Sequence, residues 1–363
     1  MRIHQIINSF SDKRGGAERI ARRLHLGLRD RGFEARLVAI EDCDASGVPG
    51  AVTLGFPSAY HPAALLALRR YVRDNVADGD LVHVHLFPAS AHVAALSMLG
   101  TLRAACVFTE HNTWNRRRST VMGRIVDRMV YTRFERVFAI SDGTAAELLR
   151  DRPYLQSHVD VVENGAELRF DAVPDRGEKA AVTILAIGRL APQKNFGALL
   201  NALAGLPDAA FNCVILGEGD LRGELENERD ALGLGDNVRL PGHVADTTQY
   251  LSEADIFVVP SLWEGFGLVA VEAMNAGLPV VAADVPGLRE IVGRSTDCAR
   301  LVDPSDPASI RSAIADLMAD PERRKIMGAN GFARATHFST EKMVERHIAA
   351  YQDLIGGSLA RAW

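Results

Sequence analysis

An α/β chain built from two doubly wound parallel-sheet domains, each Rossmann-like, is what this sequence predicts. Three observations carry that reading. Short apolar runs rich in Val, Ile and Leu alternate with helical patterns along the chain, as in parallel sheets covered on both faces. The 363 residues, 47% hydrophobic and 24% charged, suit about two domains at roughly 150 residues each. A Pro- and charge-bearing stretch, Leu168–Ala181, interrupts the series and reads as a linker.

The first series of predicted strands is Arg2–Asn8, Ala35–Ile40, Leu81–Leu86, Cys106–His111, Arg136–Ser141 and Val159–Glu163. The second is Val182–Gly188, Asn212–Gly217, Val238–Gly242, Ile256–Pro260 and Pro279–Ala283. Helical segments such as Ala17–Arg31, Gly143–Arg150 and Val269–Asn275 fall between them. The expected domains are residues 1–168 and 169–339. Charge divides in the same way: residues 1–170 carry 23 basic and 19 acidic residues, net +4, and the remainder 18 and 27, net −9. Doubly wound domains bind ligands at the carboxyl ends of their strands, so two of them would hold a ligand between their facing crevices.

Net charge is −5, which argues against a nucleic-acid partner. The skew to 36 Arg over five Lys reads as GC-rich bacterial coding. Four scattered cysteines, Cys43, Cys106, Cys213 and Cys298, form no C-x-x-C pair, which fits a reducing cytoplasm. The first residues, Met1-Arg2-Ile3-His4-Gln5, leave no apolar core for a signal peptide. Charges such as Arg103 and Glu272 break every apolar run short of a membrane span. The expectation is a cytoplasmic protein, at most peripheral to the inner face of a membrane.

The most informative segment runs from Pro260 to Met274. A strand ends at Pro260, a helix begins near Gly267, and Gly265 and Gly267 between them let backbone N–H groups approach a ligand. A helix start of this kind suits an anion such as a diphosphate. Glu264 and Glu272 lie eight residues apart, just over two turns, and would flank one crevice. Carboxylates beside a phosphate site make sense when they bind hydroxyls, which points to a nucleotide sugar. A plain strand–turn–helix carrying two unrelated Glu residues remains the alternative. After Val182–Ile187, the segment Gly188 to Asn195 places Arg189 and Lys194 at a strand's carboxyl end, where they could neutralise a leaving diphosphate. Gly15-Gly16 opens the first helix. His111 closes a buried strand, and His83 and His85 share one strand face as core or cleft-lining residues rather than a zinc site. Gly217-Glu218-Gly219-Asp220-Leu221-Arg222-Gly223 departs from the dinucleotide fingerprint G-x-G-x-x-G.

These segments, with Ser141-Asp142-Gly143, Glu163-Asn164-Gly165 and Gly242-His243-Val244, resemble the retaining GT-B glycosyltransferases of family 4, the group 1 glycosyltransferases. Glu264 to Glu272 matches that family's E-x7-E signature. The resemblance implies that Glu264 contacts the transferred sugar and Glu272 the ribose hydroxyls. It implies that Phe266, Gly267 and Leu268 offer backbone contacts, and that Arg189 and Lys194 hold the diphosphate. His111 would sit beside the anomeric centre and Gly16 near the phosphate, while Glu218 and Val244 would join the donor site. The final helix, about 340–363, would cross back onto the first domain. Pro286 and the run Asp297-Cys298-Ala299-Arg300 depart from the family pattern, which bears on base and sugar preference.

The expected reaction moves a hexose from a nucleotide sugar, a UDP-sugar ahead of GDP-mannose, to a glycan acceptor. A polyprenyl-diphosphate-linked acceptor in lipopolysaccharide or exopolysaccharide assembly is favoured. With Glu264 engaged by hydroxyls remote from the anomeric carbon, the route is front-face SNi-like displacement. No cofactor and no metal is expected, because no D-x-D lies in the crevice segments and Asp42-Cys43-Asp44 falls outside them. The alternatives are a catalytically silent nucleotide-binding subunit and a sugar-nucleotide epimerase or hydrolase. On the acceptor side, Arg116, Arg117, Arg118, Arg124 and Arg128 mark a basic surface for anionic lipid. The competing expectation is a helix that packs Met122, Ile125, Val126 and Met129 into the core and leaves the basic face in water.

Overall fold

A computed structural model describes residues 1–10, 15–111, 120–177, 179–207, 210–293 and 297–361, with side chains to residue 356. The chain separates into two compact units: Met1–Gly165 with Thr340–Trp363, and Ala166–Ser339. The first contains, in chain order, β1 (Arg2–Ile7), α1 (Gly16–Asp30), β2 (Glu34–Glu41), β3 (Ala51–Phe56), α2 (Ala64–Asn75), β4 (Leu81–His85) and α3 (Ala89–Met98). It continues with β5 (Ala105–Glu110), α4 (Val121–Tyr131), β6 (Arg136–Ala139), α5 (Asp142–Asp151) and β7 (Val159–Val161). The second contains β8 (Val182–Ile187), α6 (Phe196–Leu203), β9 (Phe211–Leu216), α7 (Arg222–Ala231), β10 (Val238–Gly242), α8 (Thr248–Glu253) and β11 (Ile256–Val259). It closes with α9 (Leu268–Asn275), β12 (Val280–Ala283), α10 (Pro286–Val292), β13 (Ala299–Val302), α11 (Pro307–Ala319) and α12 (Pro321–Ala335). The last helix, α13 (Thr340–Arg361), returns to the first unit.

Each unit is a parallel sheet. The seven-stranded sheet runs β3-β2-β1-β4-β5-β6-β7, and the six-stranded sheet β10-β9-β8-β11-β12-β13. Chain order reverses between β1 and β4 in the first and between β8 and β11 in the second, and such switch points are where doubly wound sheets open a crevice. The central strands are apolar because both their faces are covered. All of Val280, Val281, Ala282 and Ala283 in β12 are sealed from solvent, each side chain adding roughly 25 cal/mol per Å² of apolar surface removed from water. Helix starts are specified locally. Ser141 accepts from the Thr144 N–H at 3.0 Å to cap α5. Asp306, followed by Pro307, accepts from the Ala308 N–H at 2.9 Å to cap α11.

Strands β3 and β13 were not expected. Both are short edge strands, half-buried over much of their length, and Gly55 breaks the apolar run of β3 with φ +78°. The stretch expected to be a linker is instead docked on the second unit. Arg169 and Phe170 donate their N–H groups to Asn275 Oδ1 at 2.7 and 3.0 Å. Arg176 donates to the carbonyls of Ala276 and Leu251 at 2.5 and 3.2 Å. The division between units therefore falls at Gly165, three residues before the linker stretch, where the Ala166 N–H joins the Phe338 carbonyl at 2.8 Å. In the first unit α13 lies along α1, with Val344 packed where a Cβ on Gly27 would stand.

Candidate functional site

At the switch point of the second sheet, the loops after β8 and β11 are stitched together. Asn195, left-handed at φ 55°, donates to the carbonyls of Pro260 at 3.1 Å and Pro304 at 2.7 Å. Gln193 donates to the Trp263 carbonyl at 2.8 Å and accepts the Leu262 N–H on its own carbonyl at 2.9 Å. This frame brings together two residues 70 apart in sequence: Lys194 Nζ stands 2.6 Å from Glu264 Oε2. Ser261 Oγ donates to the same oxygen at 3.3 Å. The two side chains keep only 16% and 13% of their exposure. The Lys194 stem lies across Gly188, whose Cβ would meet three of its carbons at 3.2 Å.

Arg189 does not join that pair. It is 69% exposed and reaches Asp220 at 3.4 Å. Gly217 and Gly219 pass against the backbone of this loop: a Cβ on Gly217 would overlap the carbonyl oxygen of Gly188, and one on Gly219 that of Leu190. Glu218 accepts from Arg222 at 2.7 Å, and Arg222 also donates to the Leu240 carbonyl at 2.7 Å. Val244, half-buried, follows β10. Gly267 caps α9 in the left-handed region at φ 90°, and a Cβ there would stand 2.6 Å from Leu288 Cδ2. Leu268 is the first helical residue, so its N–H faces the open end of the helix. The Phe266 ring is buried edge-on to Phe338, with ring centroids 5.7 Å apart, and only its backbone remains for a ligand. Glu272 is buried in α9 and lies within the electrostatic reach of Arg169.

In the first unit Gly16 is exposed at the start of α1, after Gly15 in extended backbone. His111 follows β5 in a cluster with three other histidines. His83 and His85 stand with ring centroids 4.1 Å apart, His85 and His111 5.3 Å, and His83 and His347 of α13 5.6 Å. His83 bonds Tyr351 Oη and Thr109 Oγ1, both at 2.6 Å. Burial holds all four rings below the ordinary imidazole value, His111 at about 3 and His347 at about 4. Among the described residues no group of three or more His, Cys, Asp or Glu is arranged to hold a metal ion.

Helix α4 overturns one expectation. Met122, Ile125 and Met129 are exposed, with Met122 at 70%, and only Val126 of the apolar set is half-buried. The inward residues are Asp127, Val130 and Tyr131. Asp127 forms a buried pair with Arg152, and Tyr131 donates to buried Glu110. Two buried carboxylate contacts, rather than the apolar stripe, set the rotation of the helix. Arg124 and Arg128 are exposed beside the stripe, Arg128 lying over the Tyr154 ring at 5.0 Å. Arg116, Arg117 and Arg118 lie outside the described residues.

Sequence reasoning passed over Gln193, Ser261, Gln5 and His347. The signal for Gln5 was present: a lone amide in the apolar strand β1, which is sealed from solvent.

The sequence profile of the family described as glycosyl transferases group 1 matches residues 173–334, and that of glycosyltransferase family 4 matches residues 14–170. Phosphatidyl-myo-inositol mannosyltransferase of Mycobacterium leprae is 26% identical over 97% of this chain and 96% of its own length. An MMP alpha-(1->4)-mannosyltransferase of Mycolicibacterium hassiacum is 28% identical over 63% of this chain and 57% of its own length, so the chain spans little more than half of that relative. Anabaena HepE, solved in complex with UDP and glucose, has the same fold at a TM-score of 0.84 and 20% identity, covering 97% of this chain and 100% of that one.

Proposed function

The chain belongs to glycosyltransferase family 4, the group 1 glycosyltransferases, and we propose that it moves a hexose from a nucleotide sugar to an acceptor hydroxyl with retention at the anomeric carbon. The Lys194–Glu264 pair at the β8/β11 switch point carries this reading. It sets a cation for a diphosphate and a carboxylate for sugar hydroxyls on adjacent atoms, beside the left-handed Gly267 that opens α9. Arg189, exposed and paired with Asp220, reaches the same diphosphate by leaving that partner. Glu272 takes the ribose hydroxyls. Gly16 and His111, both in the first unit, are the residues that the family resemblance assigns to the phosphate and the anomeric centre.

In this reaction the bond from the anomeric carbon to the diphosphate oxygen breaks, and its electron pair leaves on the diphosphate. The acceptor oxygen bonds to the same face of the carbon, and its proton passes to a departing phosphate oxygen. Glu264, already paired with Lys194, is a poor nucleophile. Catalysis then rests on stabilising the leaving charge and on positioning. A UDP-sugar is favoured as donor, as the UDP bound by the Anabaena neighbour supports; the mannosyl relatives support GDP-mannose as the second candidate.

The acceptor reading is a lipid-linked glycan met at an anionic membrane surface, within cell-surface polysaccharide assembly. Its support is α4, which exposes Met122, Ile125 and Met129 next to Arg124 and Arg128. Among the described residues no helix is long and apolar enough to cross a membrane. Incubation with UDP- and GDP-sugars, with and without membrane lipid extract, tests the whole reading. Release of one nucleotide only when extract is present, with an α-linked product from an α-linked donor, is expected. Release without acceptor would mark a hydrolase, and no release from any donor a silent subunit; either would overturn the proposal.

A further inference from the structure

Gln5 lies at the centre of β1, sealed from solvent and out of reach of any substrate. One orientation of its amide pairs both of its atoms with all three polar neighbours. Oε1 accepts from the His25 N–H at 3.1 Å, and Nε2 donates to the Ala21 carbonyl and to His85 Nε2, each at 3.1 Å. The reverse orientation would set oxygen against the Ala21 carbonyl and N–H against N–H. His85 Nε2 is therefore the lone-pair nitrogen, and the ring proton of neutral His85 sits on Nδ1. That nitrogen stands 3.1 Å from His111 Nε2, so His85 donates and His111 accepts. His111 must then carry its own proton on Nδ1, which has no partner among the described residues. Burial keeps both rings neutral, His111 with its pKa near 3, so neither has a second proton with which to escape the assignment.

We infer that Gln5, acting through His85, is a positioning residue that locks His111 in the Nδ1–H form and makes it a hydrogen-bond donor to an oxygen of the donor sugar or its diphosphate, not a proton acceptor. The functional half of this statement rests on the glycosyl transfer proposed above; the tautomeric half does not. A buried amide in an otherwise apolar strand, tied at once to a helix backbone and to a histidine, is costly to keep. It is accounted for by the direction it imposes on the two imidazoles.

The full-length protein labelled with ¹⁵N-histidine, its signals assigned with His85→Asn and His111→Asn, reads the tautomers directly by long-range ¹H–¹⁵N correlation at neutral pH. His85 and His111 are both expected as Nδ1–H. An Nε2–H signal for His111 in the wild type overturns the inference whether or not any sugar is transferred. In Gln5→Glu, read at a pH where its carboxyl is ionised and both imidazoles are neutral, the carboxylate accepts from His85 Nε2–H, both tautomers invert, and kcat is expected to fall on the order of 100-fold, with kcat/KM falling equally. Inverted tautomers with wild-type kcat would overturn the donor role of His111. Should that variant not fold, Gln5→Met keeps the side-chain length and donates nothing; mixed tautomers and a severalfold loss of kcat are expected, and an unmixed Nδ1–H signal would remove Gln5 from the relay.

Discussion

Lys194 and Glu264 illustrate how one contact divides labour between two ligand chemistries. At 2.6 Å the pair is a charge-assisted hydrogen bond; Ser261 donates to the Glu264 partner and the Lys194 stem packs over Gly188. Lys194→Ala is expected to raise the barrier by about 2–4 kcal/mol, the usual cost of losing a preorganised charge-stabilising donor. Arg189→Ala should cost less, because an exposed charge held by Asp220 must first leave that partner. Both are read from kcat for nucleotide release. Wild-type rates in both variants would remove the diphosphate from this loop. Glu272→Ala should raise the donor KM and leave kcat nearly intact. Gly217 belongs at this scale too. At φ +144° with the Gly188 carbonyl in the way of any Cβ, Gly217→Ala is expected to destabilise the second unit by at least about 2 kcal/mol in thermal unfolding.

Among the elements, α4 has the packing least like its sequence pattern. A helix with Met122, Ile125 and Met129 on one side would ordinarily bury them. Here the buried Asp127–Arg152 pair and the Tyr131–Glu110 contact turn the other side inward. The expected consequences separate cleanly. Met122→Ser, Ile125→Ser and Met129→Ser should each change stability by less than about 0.5 kcal/mol, since no core contact is lost, yet together weaken co-sedimentation with anionic vesicles. Asp127→Ala should cost about 3–5 kcal/mol in urea unfolding, because it removes the buried carboxylate bonded to buried Arg152 and leaves only the more distant Asp151, at 3.8 Å. Vesicle binding that is absent in the wild type, or unchanged in the triple variant, would return the acceptor to solution.

Across the whole molecule, acid sensitivity is concentrated in one unit. His4, His25, His83, His85, His111 and His347 all have lowered pKa values, chiefly through burial, and all belong to the unit of Met1–Gly165 and Thr340–Trp363. Each is neutral when folded and takes a proton when unfolded below about 6.5. Stability is therefore full above that pH and falls as pH drops toward the folded values, about 4 for His347. The unfolded state binds more protons in this window, so stability rises with pH. Hydrogen exchange at pH 7.5, 6 and 5 should show this unit losing protection. His347→Phe should flatten the slope by up to about 1.4 kcal/mol per pH unit. An unchanged slope would mean that His347 is not neutral in the fold.

The central strands and their alternation with helices, the glycines at both switch points and the spacing of Glu264 to Glu272 were legible from sequence, because periodicity and turn chemistry are local properties of the chain. The edge strands β3 and β13 escaped because an edge needs neither a long nor a fully apolar run. Which partner a polar side chain finds is not local. Lys194 meets Glu264 across 70 residues, Asp127 meets Arg152 across 25, and Gln5 meets His85 across 80. Those distances close only when parallel strands are laid in order, so the separation of Arg189 from Lys194, the rotation of α4 and the proton on His111 were decided by tertiary structure.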